Sequence, residues 1–147
     1  MELIEKFASV DEAIEGLKGM LERKEKIMGF GHAIYSTSDP RNGIIKKWSE
    51  KLAESVGDTV LYPVSCAVET LMWDEKKLFP NADFFHASAY HFMGIPTKLF
   101  TPIFVCSRLT GWAAHVMEQR SNNRIIRPSA GYIGAEPRAV TPIADRG

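Results

Sequence analysis

Apolar residues in this chain recur at three- and four-residue spacing, and the stretches they form are ended by glycine or proline. That period commits a chain to helices, because it lines one face of a 3.6-residue turn and no face of a strand. Ser9-Val10-Asp11-Glu12 has the form of a capping box, and Ala13, Ile14, Leu17, Met20 and Leu21 follow at helical spacing. Leu3, Ile4, Phe7 and Ala8 form a shorter stripe before it. That stripe starts at residue 1 with no capping residue ahead, which predicts a chain cut from something longer. Gly29 and Gly31 open a loop lasting to about Ser38, and Asp39 predicts an N-cap with Pro40 in the first turn. Ile44, Ile45, Trp48, Leu52 and Val56 predict the next buried face, with Gly57 as its stop. Further helices are expected over 59–78 (Val64, Val68, Leu71 and Met72 inward), over 83–93 and over 98–121. The last is nearly all apolar and is expected to leave a large surface uncovered. From Asn122 the chain is rich in Pro, Gly and Arg and is expected to be extended. No stretch alternates like a strand, so the fold is predicted to be all-α.

Charge narrows the function classes. Eighteen acidic and 18 basic residues balance, which argues against a nucleic-acid footprint or a membrane-surface role. No transmembrane run or signal peptide is visible, and the expected location is cytoplasmic. Cys66 and Cys106 lie far apart without metal spacing, and read as reduced core thiols. Met28, Met72, Met93 and Met117 read as core fillers.

Polar residues inside such a chain carry the functional signal. Two glycines around Phe30 let the backbone approach a ligand, and His32 on that loop could donate to a carbonyl oxygen gaining negative charge; a plain surface loop is the alternative. Arg41 could clamp a carboxylate or be an ordinary exposed arginine. Asp83, between Pro80 and Phe84-Phe85, is either an N-cap or a partly desolvated base acting on a carbon acid. Arg108 interrupts an apolar helix and predicts a carboxylate partner, protein or ligand. Arg124, Arg127 and Arg138 crowd the tail. His86 and His91, five apart, do not align for a metal, and none is expected.

Taken in order, these segments resemble the C-terminal part of the citrate synthase family, most closely its 2-methylcitrate branch. The resemblance is carried by Met28-Gly-Phe-Gly-His32, Asp39-Pro-Arg41, Glu69-Thr-Leu-Met-Trp73 and Phe79-Pro-Asn-Ala-Asp83-Phe-Phe85. It continues in Phe100-Thr-Pro-Ile-Phe104, Arg108-Leu-Thr-Gly-Trp112-Ala-Ala-His115 and Asn123-Arg-Ile-Ile-Arg127-Pro128. It implies a citrate synthase-like multihelical fold, with residues 1–96 as the small, CoA-binding domain and 97–147 as the last helix and tail of the large one. It also implies condensation of propionyl-CoA with oxaloacetate and water, giving 2-methylcitrate and CoA. Asp83 matches the base that removes the α-proton, and His32 the donor to the oxaloacetate carbonyl. Arg41 and Arg108 match residues holding oxaloacetate carboxylates, and Arg127 the arginine that enters the neighbouring subunit's site, which implies a homodimer. Met28, Gly29, Phe30, Gly31, Ala33 and Tyr35 lie where the family wraps CoA. Acyl-CoA is a substrate, and no cofactor is implied. Ala33 and Ser36 stand where many members carry basic residues. The family's second histidine, in a His-Gly-rich motif ending Asn-Glu, has no counterpart in residues 1–147, so this chain alone is expected to be inactive. Citrate synthesis from acetyl-CoA is the alternative in the same class; a non-catalytic CoA-binding or oligomerisation module is the alternative in another.

Overall fold

The computed structural model describes residues 1–147, which form helices and connecting loops without a β-strand. The chain divides into two compact units, residues 1–109 and residues 110–147. The first holds α1 (Val10–Glu22), α2 (Asn42–Val56), α3 (Leu61–Lys76), α4 (Ala82–Phe92) and the start of α5 (Phe100–Ser121). The second holds the rest of α5 and a tail whose one regular element is a 3-10 turn at Ile143–Asp145. No helix is long and apolar enough to cross a membrane.

Helix ends follow local chemistry. The capping box at α1 forms: Ser9 Oγ accepts the Glu12 N–H at 3.3 Å, and Glu12 Oε2 accepts the Ala8 N–H at 2.8 Å. Gly57 ends α2 at φ 70°, as its sequence predicts. At α3 the Asp58 carboxylate accepts the N–H groups of Val60, Leu61 and Tyr62, which delays the helix to Leu61. The Leu3–Ala8 stripe is a 3-10 turn, Ile4–Lys6, that buries Ile4 and Phe7 against the core.

Within the first unit α1 packs on α3, and α2 on α4. Leu17, Ile27, Val64, Val68, Met72, Phe84 and Phe85 make the core. The buried face of α2 differs from the sequence expectation. Asn42, Ser49 and Ala53 are buried, whereas Ile44, Trp48 and Val56 are more than half exposed. The reason is the closeness of α2 to α4: Ser49 and Ser88, both fully buried, bond Oγ to Oγ at 2.8 Å. Only small side chains fit such an approach, so the bulky ones turn outward. Three of the four methionines read as fillers, Met28, Met93 and Met117, are exposed, and only Met72 is core. Cys106 is exposed and is not a core thiol, whereas Cys66 is half-buried against the core; burial pushes the Cys66 thiol above its usual pKa. On α5 no residue is buried, and Leu109, Trp112 and Val116 are exposed, in line with the uncovered surface expected there.

Candidate active site

The glycine loop and the loop ahead of α4 are stitched together. Gly31 N–H donates to the Phe79 carbonyl at 2.8 Å, and Asn81 N–H to the Gly29 carbonyl at 2.9 Å. An isolated antiparallel bridge thus pairs Phe30 with Pro80. The Asn81 side chain bonds in both directions: Nδ2 donates to the Gly31 carbonyl at 3.1 Å, and Oδ1 accepts the Asp83 N–H at 3.1 Å. Asn81, and not Asp83, is therefore the N-cap of α4. Gly29, at φ 94°, lies against Phe84, whose ring packs on Phe30 with centroids 4.6 Å apart.

His32 sits on the exposed side of this loop, and its Nδ1 accepts the N–H groups of Ile34 (3.1 Å) and Tyr35 (3.2 Å). With Nδ1 accepting, the ring proton is on Nε2, which is left as a donor. Tyr35 stacks on the ring, centroids 4.7 Å apart. Ala33 and Tyr35 are exposed beside it, as is Met28 before the loop, whereas Phe30 is half-buried in the packing under Gly29.

Arg41 is held by protein. Asp39 Oδ1 accepts its Nε at 2.9 Å and its backbone N–H at 3.0 Å, and Oδ2 accepts NH2 at 2.7 Å. Oδ2 also accepts the Ala82 N–H, at the start of α4, at 3.0 Å. The Asp39 side chain has no solvent exposure, while that of Arg41 is 45% exposed. The Arg41 side-chain hydrogen bond holds the Asp39 carboxyl well below its usual range, at about 2, outweighing the opposing effect of burial. Asp39 in turn raises Arg41, with a smaller contribution from the charge of Asp83. Asp39 thus caps the turn at Pro40-Arg41, and α2 begins formally at Asn42.

Asp83 is the second residue of α4, and its side chain is exposed, contrary to the expectation of a partly desolvated base. It lines a groove of about 740 Å³ together with Met28, Gly29, Phe84, His86, Tyr90, Phe100 and Phe104. His86 Nδ1 bonds the Ala82 carbonyl at 2.6 Å, and His91 Nδ1 lies 3.6 Å from Glu5 Oε1. Loop geometry thus brings His32, Arg41 and Asp83 to one end of α4. Arg108 pairs with no carboxylate of this chain: its guanidinium lies over the Phe104 ring, 4.4 Å from the centroid, on an exposed face of α5. Arg127 is exposed within the 110–147 unit. The residues sequence reasoning missed are the fasteners. In sequence Asp39 carries only the signal of a cap, and Asn81 none beyond its place in the 79–85 segment.

The sequence matches the citrate synthase C-terminal domain over residues 1–129. The chain belongs to the citrate synthase family. It is 74% identical over 146 residues to the 2-methylcitrate synthase of Shewanella oneidensis, a match that covers 99% of the chain and 39% of that protein. It is 47% identical over 119 residues to the citrate/2-methylcitrate synthase of Bacillus subtilis, covering 80% of the chain and 32% of that protein. Among solved structures, the citrate synthase of Thermoplasma acidophilum in ternary complex with carboxymethyl coenzyme A and oxaloacetate superposes with a TM-score of 0.79. That match has 31% identity and covers 99% of this chain and 40% of that one. The citrate synthase fold expected from sequence is thereby established. The chain spans about two fifths of the length of the two relatives that cover nearly all of it, in Shewanella and Thermoplasma.

Proposed function

We infer that this chain serves a 2-methylcitrate synthase, which condenses propionyl-CoA with oxaloacetate and hydrolyses the resulting thioester to release CoA. In this reading Asp83 takes the α-proton of the acyl group, and the carbanion equivalent attacks the oxaloacetate carbonyl. His32 Nε2–H donates to that carbonyl oxygen as charge develops on it, and Arg41 holds an oxaloacetate carboxylate. Arg108 and Arg127 hold carboxylates in the assembled enzyme, a homodimer of the cytoplasm acting in propionate catabolism. Residues 1–96 form its CoA-binding small domain, with Met28 to Tyr35 against the nucleotide, and residues 97–147 belong to the large domain. The observation that carries the reading is the Asp39 carboxylate, which bonds both the Arg41 guanidinium and the backbone one residue before Asp83. The 74% identity to a 2-methylcitrate synthase supports the choice of branch.

The test replaces the matching 146 residues of the Shewanella relative with residues 1–147 and follows CoA thiol release. Oxaloacetate-dependent release with a higher kcat/KM for propionyl-CoA than for acetyl-CoA is expected. One methylene is worth about 1–3 kcal/mol in a pocket, or roughly 10- to 200-fold, and an acetyl-CoA preference would instead assign citrate synthesis. Asp83→Asn should lower kcat by about 10²–10⁴-fold while leaving the melting temperature unchanged, because that side chain is exposed. The isolated 147-residue chain should release no CoA; turnover by it would show that the second histidine of the family is dispensable.

A further inference from the structure

We propose that Asp39 is a positioning residue that sets which edge of Arg41 meets the substrate carboxylate, and fixes that edge relative to the base on α4. The proposal rests on the functional reading above.

An arginine binds a carboxylate best through a two-nitrogen edge of its planar fork. Here the Nε and NH2 edge is already filled by the two oxygens of Asp39, at 2.9 and 2.7 Å. A substrate carboxylate is therefore met by the remaining edge, that of NH1 with the second proton of NH2. The guanidinium plane is also fixed: Asp39 has no exposed side-chain surface on which to swing, and its Oδ1 is further tied to the Arg41 backbone at 3.0 Å. The fourth bond extends this order across the chain. Asp39 Oδ2 accepts the Ala82 N–H from a residue 43 positions away, in the first turn of α4. Asp83 follows directly, so a single buried carboxylate sets both the arginine's orientation and the register of the base relative to it. The raising of Arg41 by the charge of Asp83 agrees with that closeness.

Asp39→Asn is the informative change. The amide keeps the shape, and one oxygen can still accept from Ala82 N–H, but it cannot accept from both Nε and NH2. In the enzyme carrying residues 1–147, Asp39→Asn should raise KM for oxaloacetate by roughly 10- to 100-fold and lower kcat, with KM for propionyl-CoA within twofold. Asp39→Glu, which restores two acceptor oxygens, should recover part of the oxaloacetate KM. A variant that loses melting temperature but keeps its oxaloacetate KM overturns the proposal, since Asp39 would then be merely structural. If the unmodified enzyme shows no oxaloacetate-dependent CoA release, the functional reading fails, and binding decides the proposal separately. Oxaloacetate is then titrated into the 147-residue chain while the Arg41 Nε–H and Ala82 amide resonances are followed. Saturable shifts that disappear in Asp39→Asn sustain the proposal; equal shifts in both chains, or none in either, overturn it.

Discussion

Gly29→Ala probes the contact on which the site's geometry depends. At φ 94° an L-residue is strained by about 1–2 kcal/mol. The new Cβ would also stand 3.0 Å from Phe84 Cδ2 and 3.3 Å from Phe84 Cβ. Phe84 cannot retreat: it is 4% exposed and wedged between Phe30 and Phe85, with ring centroids 4.6 and 5.1 Å away. Overpacking of a closed core adds about 1–3 kcal/mol, so the total is about 2–5 kcal/mol. Gly57→Ala is the matched control, since its φ is 70° and nothing lies within 4 Å of its added Cβ. It should show the backbone strain alone, about 1–2 kcal/mol. Urea unfolding of the full chain, followed by far-UV circular dichroism, measures the difference. With a slope of about 2 kcal/mol per molar, Gly29→Ala should unfold roughly 0.5–1.5 M below Gly57→Ala. Midpoints within about 0.2 M of each other would mean that the glycine loop does not press on Phe84, and the stitched arrangement of His32 with α4 would lose its support.

Two further perturbations address the ion pair and the corrected helix face. Asp39 has its carboxyl depressed from 3.8 to about 2, so it stabilises the fold above pH 3.8 and loses that effect as pH falls through about 2. The shift corresponds to about 2 kcal/mol, trimmed to about 1–2 because Arg41 is 45% exposed. The stability gap between wild type and Asp39→Asn should shrink by that amount between pH 6 and pH 2, and a constant gap would contradict the assignment. Trp48→Ala on α2 should cost under about 1 kcal/mol, because the ring is 56% exposed and only Lys51 approaches its face. Met72→Ala on α3, at 2% exposure, should cost about 2–5 kcal/mol. Equal losses in chemical denaturation would restore Trp48 to the core.

Helix positions were legible because their signals are local. Ser9 with Glu12, Gly57 at the end of α2 and Pro80 ahead of α4 each act within a few residues, and the structure uses all of them. Helix faces were less legible. Hydrophobicity favoured Ile44, Trp48 and Val56, but the approach of α2 to α4 through Ser49 and Ser88 selects for small volume, which a hydrophobic pattern does not register. The same limit explains Met28, Met93 and Met117, whose type suggests a core and whose positions are exposed. Arg108 was expected to need a carboxylate because its neighbours are apolar. On a helix face that is itself exposed, no carboxylate of this chain is required, and the guanidinium rests on the Phe104 ring.

The candidate site divides along the same line. His32, Arg41 and Asp83 could be named because each stands in a segment that resembles the citrate synthase family; local setting alone left each an ordinary structural alternative. The residues that make them one site could not, because their partners are distant in sequence. Asp39 reaches Ala82 across 43 positions, and Asn81 reaches Gly31 across 50. Each also has a complete local explanation as a cap, Asp39 for the turn before α2 and Asn81 for α4, so nothing nearby calls for a second role. Yet these two side chains are what turn three separated segments into a fixed geometry. An Asp or Asn has more acceptor capacity than one cap uses, and once buried its remaining lone pairs must be satisfied. A buried capping residue is therefore a place to look for the long-range bond that assembles a site, and Asp39, with all four of its bonds made and no exposed side-chain surface, is such a residue.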